Sequence, residues 1–312
     1  MSQKNNNLSR RKFLGITTAA AGLSLIPWRA DSSFPSVLQN TSKPTSMFGG
    51  VQVGAITYSW RSMPGTPEDI VKYCQQTGIS SIELMGDVAE KYAGLPAGKD
   101  DSDVRRKWRL KAPLNKFKEL RKMFNDAGVN IHIAKFSPAN WTEAEIDYSF
   151  KAAKALGAVG VCNEIGDDAC KIMGPIAKSN GMYAIFHNHL QPGEPGWTFE
   201  KFLDYSSANM LNFDAGHYYG ATGLHPNGII EKLHDRIVSI HVKDKTGPKD
   251  TPANINMPWG QGATPIKDML LLIKANKWPV YADIELEYPV PEGSDAVAEV
   301  IKCVDYCRNI LA

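Results

Sequence analysis

Four apolar runs in the middle of this chain each lead into side chains that can bind metal ions or move protons. In chain order, these side chains are Glu164, His187, His189, Asp214, His217, His241 and Lys243. Burying such groups costs free energy unless they are paired or bound to a metal, so they are typical of strand ends that face a site. The pattern therefore predicts a metal site built from the ends of several strands.

Mixed carboxylate and imidazole ligands suit divalent ions such as Mn, Co or Zn, and each of several strands can supply one ligand. The candidate ligands are Glu164, His187, His189, Asp214, His217, His241, Glu285 and Glu287. Side chains alternate along a strand, so His187 and His189 share one face. A single histidine at a strand end is more often a packed core residue, but repetition at successive strands favours a site.

Strand and helix signals alternate through most of the chain. Apolar runs predict eight strands, at residues 53–60, 79–85, 129–136, 158–163, 182–186, 210–213, 237–240 and 280–284. Helix starts lie between them: Thr66 precedes a proline and two acids, and Thr142 with Glu145 has capping-box spacing. The polar segment 87–111 predicts a surface excursion.

This alternation predicts parallel strands joined by right-handed crossovers, and eight of them close into a (β/α)8 TIM barrel. The rival is an open, doubly wound sheet. No Gly-x-Gly-x-x-Gly follows the first strand, and the polar strand ends recur around the cycle, so the barrel is favoured. The length of 312 residues suits one barrel, and a net charge of +2 without a basic stripe argues against a nucleic-acid partner.

The N-terminus has the features of an export signal. Arg10 and Arg11 lie within Ser9-Arg10-Arg11-Lys12-Phe13-Leu14, ahead of an apolar run at residues 16–28 that is short for a membrane span. The pattern resembles a bacterial twin-arginine signal. We expect a signal at residues 1–30, a linker at 31–49 and the barrel at 50–312. The twin-arginine machinery would then be a partner, and the chain would be periplasmic or secreted, or membrane-tethered if the signal stays uncleaved.

Two motifs connect the barrel with a known superfamily. Phe213-Asp214-Ala215-Gly216-His217, followed by Ile240-His241-Val242-Lys243-Asp244, resembles the xylose isomerase-like TIM barrels. Trp259-Gly260-Gln261-Gly262 is similar to the glycine turn before the last helix of that superfamily. The resemblance covers about residues 50–312. The superfamily holds sugar and sugar-phosphate isomerases and epimerases, inosose dehydratases and endonuclease IV.

The resemblance implies site roles for individual residues. Asp214 and His241 match metal ligands, Glu285 matches the glutamate that ends the last strand, and His217 matches a histidine that binds the substrate or a second metal. Where the family has a glutamate after the fifth strand, this chain has His187-Asn188-His189. His187 or Glu164 would then complete the ligand set, and the usual mechanism with two glutamates is put in doubt.

The function implied by the resemblance is that of a divalent-metal-dependent sugar isomerase or epimerase that acts through an enediolate. The expected export favours a non-phosphorylated carbohydrate as the substrate, because phosphosugars are cytoplasmic. Glu164, His187 and His189 are candidates for the catalytic base, because an imidazole titrates close to neutral pH. Lys243 is a candidate for polarising or anchoring a substrate oxygen. Structural pairing of Lys243 with Asp244 is the alternative for that side chain.

Other readings stay open at this point. A metal-dependent dehydratase, or a lyase or hydrolase of 3-keto-glycosides, would use the same metal and end in elimination. A non-catalytic periplasmic sugar-binding protein is a further alternative. Trp60 and Trp259 could stack on a sugar ring or simply pack, and His132 and Lys135 fit structural roles better than catalytic ones. Barrels of this superfamily commonly pair, so a homodimer is one expected state.

Overall fold

The apolar runs form the strands of a closed barrel in the computed structural model, which describes residues 43–97 and 102–312. The strands are β1 Val51–Ile56, β2 Ser81–Met85, β3 Asn130–Lys135, β4 Gly160–Glu164, β5 Tyr183–His187, β6 Asn209–Asp214, β7 Ile237–Val242 and β8 Tyr281–Ile284. Each strand pairs in parallel with the next, β8 pairs with β1, and the cycle is complete. The predicted (β/α)8 TIM barrel is confirmed. The predicted export signal, residues 1–30, lies outside the described residues and stays a prediction.

Seven of the eight predicted strands lie within two residues of the observed bounds at both ends. The exception is the first, because Thr57–Trp60 was expected to extend it and forms a turn of 3-10 helix instead. Two short hairpin elements add to the barrel. Met47–Phe48 pairs antiparallel with β1, and Asp244–Lys245 pairs antiparallel with Asn256–Met257.

Helices cover the outside of the barrel. They are α1 Pro67–Thr77, α2 Gly86–Tyr92, α3 Ser102–Arg109, α4 Leu114–Asp126, α5 Glu143–Leu156, α6 Asp167–Asn180, α7 Phe199–Leu203, α8 Ala215–Thr222, α9 Asn227–Leu233, α10 Ile266–Asn276 and α11 Ala296–Leu311. The predicted caps are present: Thr66 exchanges hydrogen bonds with Asp69, and the Glu145 carboxylate accepts from the Thr142 backbone N–H. None of the helices that the structure describes is long and apolar enough to cross a membrane.

The polar excursion after β2 is partly buried, which its composition did not predict. It contains α2 and α3, and Arg109 at the end of α3 is only 7% exposed. The Arg109 guanidinium donates to Glu90 at 2.8 Å and to Glu145 at 3.1 Å, and it lies over the Trp141 ring. The Arg109 charge can be buried because two carboxylates compensate it. The contact with Glu145 connects the excursion to α5.

The barrel interior contains a polar layer. His132 on β3 reaches across the barrel to Asp283 on β8, with Nε2 and Oδ2 2.7 Å apart, and its Nδ1 lies 2.9 Å from the Ser81 hydroxyl. A Cβ at position 54 would lie 2.0 Å from the Asp283 carboxylate, so β1 needs Gly54 there. His132 therefore has a packing and hydrogen-bonding role inside the barrel.

Candidate active site

The strand register brings the chemically active side chains to one end of the barrel. Asp214 lies opposite His241 in the pairing of β6 with β7, and Glu164 lies opposite His187 in the pairing of β4 with β5. Glu285 directly follows β8. These positions are at the carboxyl-terminal ends of the strands, which is where TIM barrels build their active sites.

Four of the predicted metal ligands converge there, namely His187, Asp214, His241 and Glu285. We call them the four-donor group. One ligand atom from each lies within 4.8 Å of the other three, and all four residues are buried. His187 Nε2 is 3.2 Å from Asp214 Oδ2, and His241 Nδ1 is 2.7 Å from Glu285 Oε2. Two imidazoles and two carboxylates form a donor set that suits a divalent Mn, Co or Zn ion.

The Lys243 ammonium lies against the same carboxylates. Its Nζ is 2.8 Å from Asp214 Oδ2, 2.7 Å from Glu285 Oε2 and 2.5 Å from Glu287 Oε2. Burial by itself lowers the pKa of Lys243, but the three carboxylates raise that pKa well above its usual value. Burial raises the pKa of Asp214, but the neighbouring imidazole of His217, the Lys243 ammonium and the hydrogen bond with His187 bring it well below its usual range. These groups therefore form a buried cluster of ionised side chains.

His241 is held on both sides. Its Nδ1 contacts Glu285, and its Nε2 lies 2.7 Å from Glu83 Oε2 on β2. Burial opposes a charge on this ring, but the two carboxylates raise the pKa of His241 well above its usual value. Burial also raises the pKa of Glu83, and His241 more than offsets it, bringing that pKa to about 2. Glu83 was not among the site residues predicted from the sequence, although a lone carboxylate in an apolar strand was a usable signal.

Glu164 lies outside the four-donor group, on the far side of His187. Its Oε2 is 3.0 Å from His187 Nδ1 and 2.9 Å from His189 Nε2, and its Oε1 accepts from Lys135 at 2.7 Å. Burial raises the pKa of Glu164, but the hydrogen bonds from both histidines and the Lys135 charge hold it well below its usual range. The hydrogen bond to Glu164 raises the pKa of His189. Lys135, expected to be structural, thus belongs to this network.

His217 is placed by the start of α8, a helix that the sequence analysis did not predict. Asp214 caps this helix, and its Oδ1 accepts from the His217 backbone N–H at 2.6 Å. Neither ring nitrogen of His217 has a hydrogen-bond partner among the described residues. Burial lowers the pKa of His217, Asp214 raises it and Lys243 lowers it again, so that the resulting pKa is about 4. The ring is therefore neutral at neutral pH and free to bind a ligand.

The glycine in the Asp-x-Gly-His motif has a steric reason. A Cβ at Gly216 would lie 2.2 Å from Lys243 Cγ, so only glycine lets the lysine pass beside α8. Asp244 does not pair with Lys243. Its carboxylate accepts instead from the backbone N–H groups of Gly260 and Gly262, at 2.8 and 2.9 Å, and from that of Thr264. It thus holds the turn that follows Trp259.

Each of the two tryptophans packs against a tyrosine. Trp60 is 2% exposed and packs on Tyr73, with ring centroids 5.8 Å apart. Trp259 is half-buried and lies edge-on to Tyr306. Neither indole N–H has a hydrogen-bond partner among residues 43–97 and 102–312. Packing accounts for Trp60, and sugar stacking by Trp259 stays a prediction.

Comparison with known proteins agrees with this architecture. A family model described as "Xylose isomerase-like TIM barrel" matches residues 165–307, a little under half of the chain. The match includes Asp214, His217, His241, Lys243 and Glu285 and begins just after Glu164. No curated protein matches the chain.

Solved structures match over most of the chain. A sugar phosphate isomerase/epimerase from Parabacteroides distasonis is 18% identical with a TM-score of 0.60, covering 89% of this chain and 100% of its own. A xylose isomerase-like TIM barrel protein from Mycobacterium smegmatis in complex with magnesium is 14% identical with a TM-score of 0.52, covering 84% and 96%. The 3-keto-D-glucoside 4-epimerase from E. coli is 10% identical with a TM-score of 0.57, covering 82% and 100%. At these identities the likeness concerns the fold. The fold is that of the xylose isomerase-like TIM barrels.

Proposed function

We propose that this chain is a member of the xylose isomerase-like superfamily and a divalent-metal-dependent sugar isomerase or epimerase. In this proposal it moves a proton at a carbon next to the carbonyl of a non-phosphorylated carbohydrate. The observation that carries the proposal is the buried four-donor group, His187, Asp214, His241 and Glu285, with proton-carrying side chains around it. The magnesium complex of the Mycobacterium smegmatis protein, which has the same fold, supports a divalent ion here.

The donor chemistry fits a divalent ion, with one condition. Lys243 contacts the same two oxygens, Asp214 Oδ2 and Glu285 Oε2, that would serve as ligands. The ammonium must leave them when an ion binds, and Glu287, already 2.5 Å away, can retain it. A bound ion would supply Lewis acidity that polarises a sugar carbonyl and a neighbouring hydroxyl and so acidifies the adjacent C–H.

His189 with Glu164 is the best placed acid–base pair. Both ring nitrogens of His187 are engaged, by Glu164 and Asp214, so that imidazole is not free to carry a proton. The Glu164 carboxylate, with a pKa held far below neutral, is a weak base. His189 is half-exposed, its pKa is raised, and Glu164 orients its ring. We assign proton transfer to His189, orientation to Glu164, and substrate hydroxyl binding to the neutral His217.

An elimination reaction is the second candidate. A dehydratase, or a lyase or hydrolase of 3-keto-glycosides, needs an acid that protonates the departing oxygen. His189 has the raised pKa that such an acid requires, and its side chain is 49% exposed. His189 in its neutral form would take the proton next to the carbonyl and return it to the departing oxygen, which would leave as water or an alcohol.

Deuterium incorporation followed by NMR tests the proposal. Protein loaded with Mn²⁺ is incubated in D2O with free ketoses, aldoses and 3-keto-glucosides, and EDTA-treated protein is the control. Metal-dependent exchange next to a carbonyl with an isomeric product is the expected result. Exchange with loss of water or an aglycone would support elimination instead. Absence of exchange with every sugar, despite bound metal, would contradict an enzyme of this type and favour a sugar-binding protein.

Export is part of the same proposal, and it rests on Arg10 and Arg11. Twin-arginine export carries folded proteins, which suits a chain whose metal ligands come from distant strands. Replacing both residues, Arg10→Lys with Arg11→Lys, should leave the protein in the cytoplasm, as measured by cell fractionation and immunoblotting. Periplasmic recovery equal to that of the wild type would refute the signal.

A further inference from the structure

Each imidazole of the four-donor group lies between two carboxylates, one inside the group and one outside it. His187 directs Nε2 towards Asp214, at 3.2 Å, while its Nδ1 lies 3.0 Å from Glu164. His241 directs Nδ1 towards Glu285, while its Nε2 lies 2.7 Å from Glu83. The two rings therefore have opposite orientations. His187 faces the four-donor group with Nε2, and His241 faces it with Nδ1.

The carboxylate outside the four-donor group decides which ring nitrogen keeps its proton when an ion binds. A neutral imidazole has one N–H and one lone pair, and a carboxylate oxygen at hydrogen-bond distance requires the N–H. In the metal-free protein His241 has a carboxylate 2.7 Å from each ring nitrogen and can hold a proton on both. An ion bound by Asp214 and Glu285 would displace the proton of Nδ1, and Glu83 would hold the remaining proton on Nε2. Carboxylates in this position commonly fix the orientation of metal-bound histidines and raise their basicity.

Apart from His241, Glu83 has few partners that would explain why its carboxylate is buried. It is fully buried on β2, and its Oε2 also accepts from the Asn212 side-chain amide at 2.7 Å. In the described part of the chain, His241 is the only basic side chain with a nitrogen within 4.0 Å of it, and its Oε1 has no hydrogen-bond partner. A buried carboxylate is costly, and here the cost is offset through His241.

Glu164 differs from Glu83 in exposure and in partners. Its side chain is 41% exposed, and it also contacts His189 and Lys135. Changing Glu164 would disturb proton transfer as well as His187. Glu83 contacts no other side chain with a proposed catalytic role, so its effect on the metal can be measured separately.

We infer that Glu83 is a positioning residue that fixes the tautomer and ring orientation of His241 for metal binding. The inference rests on the metal site of the proposed function. It adds a residue from the second strand, distant in sequence from the motifs that carry the family resemblance. Its contribution is to metal affinity, through His241, rather than to contact with the substrate.

Glu83→Gln tests the inference, because glutamine keeps the side-chain volume and removes the charge. Mn²⁺ affinity, measured from the EPR signal of the free ion, should fall about 10- to 100-fold. Glu83→Asp should recover part of the loss. The matched control is Glu145→Gln, which alters a buried carboxylate on α5 that contacts no member of the four-donor group. Its Mn²⁺ affinity should equal that of the wild type.

The outcomes separate this inference from the proposed function. Wild-type Mn²⁺ binding with an unchanged affinity in Glu83→Gln would overturn the inference alone. A wild type that binds no Mn²⁺ would overturn the metal site and the inference together. If Glu83→Gln does not fold, the imidazole ¹⁵N shifts of the Zn²⁺-loaded wild type decide. A protonated Nε2 at His241 supports the inference, and a protonated Nδ1 there overturns it.

Discussion

Asp214→Asn should remove metal binding almost completely while leaving the fold intact. Oδ2 of Asp214 faces His187 and Lys243, and its Oδ1 caps α8 by accepting from the His217 backbone N–H. Asparagine keeps an oxygen for the cap but loses the negative charge of the ligand. We expect Mn²⁺ affinity to fall by more than about 100-fold, beyond the effect of a residue that only supports a ligand.

A second N-cap aspartate provides the control for this variant. Asp295 caps α11 by accepting from the Ala298 backbone N–H at 2.7 Å and has no contact with the site. Asp295→Asn should therefore cost some stability but no metal affinity. The comparison uses Mn²⁺ titration together with far-UV circular dichroism. Metal binding by Asp214→Asn at the wild-type level would remove Asp214 from the ligand set.

Lys243→Met should have two large and separable effects. The ammonium compensates three carboxylates, those of Asp214, Glu285 and Glu287, at 2.5 to 2.8 Å. Without it, the three carboxylates of the metal-free protein lose the cation that they share, and we expect its free energy of unfolding to fall by about 3 kcal/mol or more. Added Mn²⁺ should restore most of this loss, because the ion takes over the compensation.

The second effect concerns catalysis. In the proposed function, the ammonium retained by Glu287 still has N–H groups that can contact a substrate oxygen, so Lys243→Met should slow deuterium exchange by about 10²- to 10³-fold at saturating Mn²⁺. Lys245→Met is the control, since Lys245 is also a buried lysine but its ammonium donates to the Asn256 side chain. Thermal unfolding with and without Mn²⁺ measures the first effect. A metal-free Lys243→Met as stable as the wild type would contradict the role of the ammonium.

The barrel could be predicted from the sequence because each of its strands is visible in a short, continuous stretch of residues. Each strand is a short apolar run with a helix signal after it, and buried parallel strands need no other pattern. The strand-end residues Asp214, His241 and Glu285 could be selected for the same reason, since a polar group that ends an apolar run is visible without knowledge of its neighbours. Thr57–Trp60 was misjudged because apolar residues also occur in tight turns at the barrel mouth.

Contacts across the barrel were not visible in the sequence. Glu83 and His241 are 158 positions apart, and only closure of the barrel brings them together. Glu164 was expected to supply a missing carboxylate ligand, and the structure places it outside the four-donor group, in a second group of possible ligands with His187 and His189. Arg109 lies in a charged segment that resembles a solvated loop, and its burial depends on Glu90 and Glu145 from two other helices.

X-ray diffraction at the manganese absorption edge, from crystals grown with Mn²⁺, tests the metal site most directly. We expect one anomalous peak, lying among His187 Nε2, Asp214 Oδ2, His241 Nδ1 and Glu285 Oε2. Lys243 should then have left Asp214 and Glu285 for Glu287. A map without a peak there, with the Lys243 ammonium still between the two carboxylates, would contradict the metal site and make the cluster a structural ion-pair network.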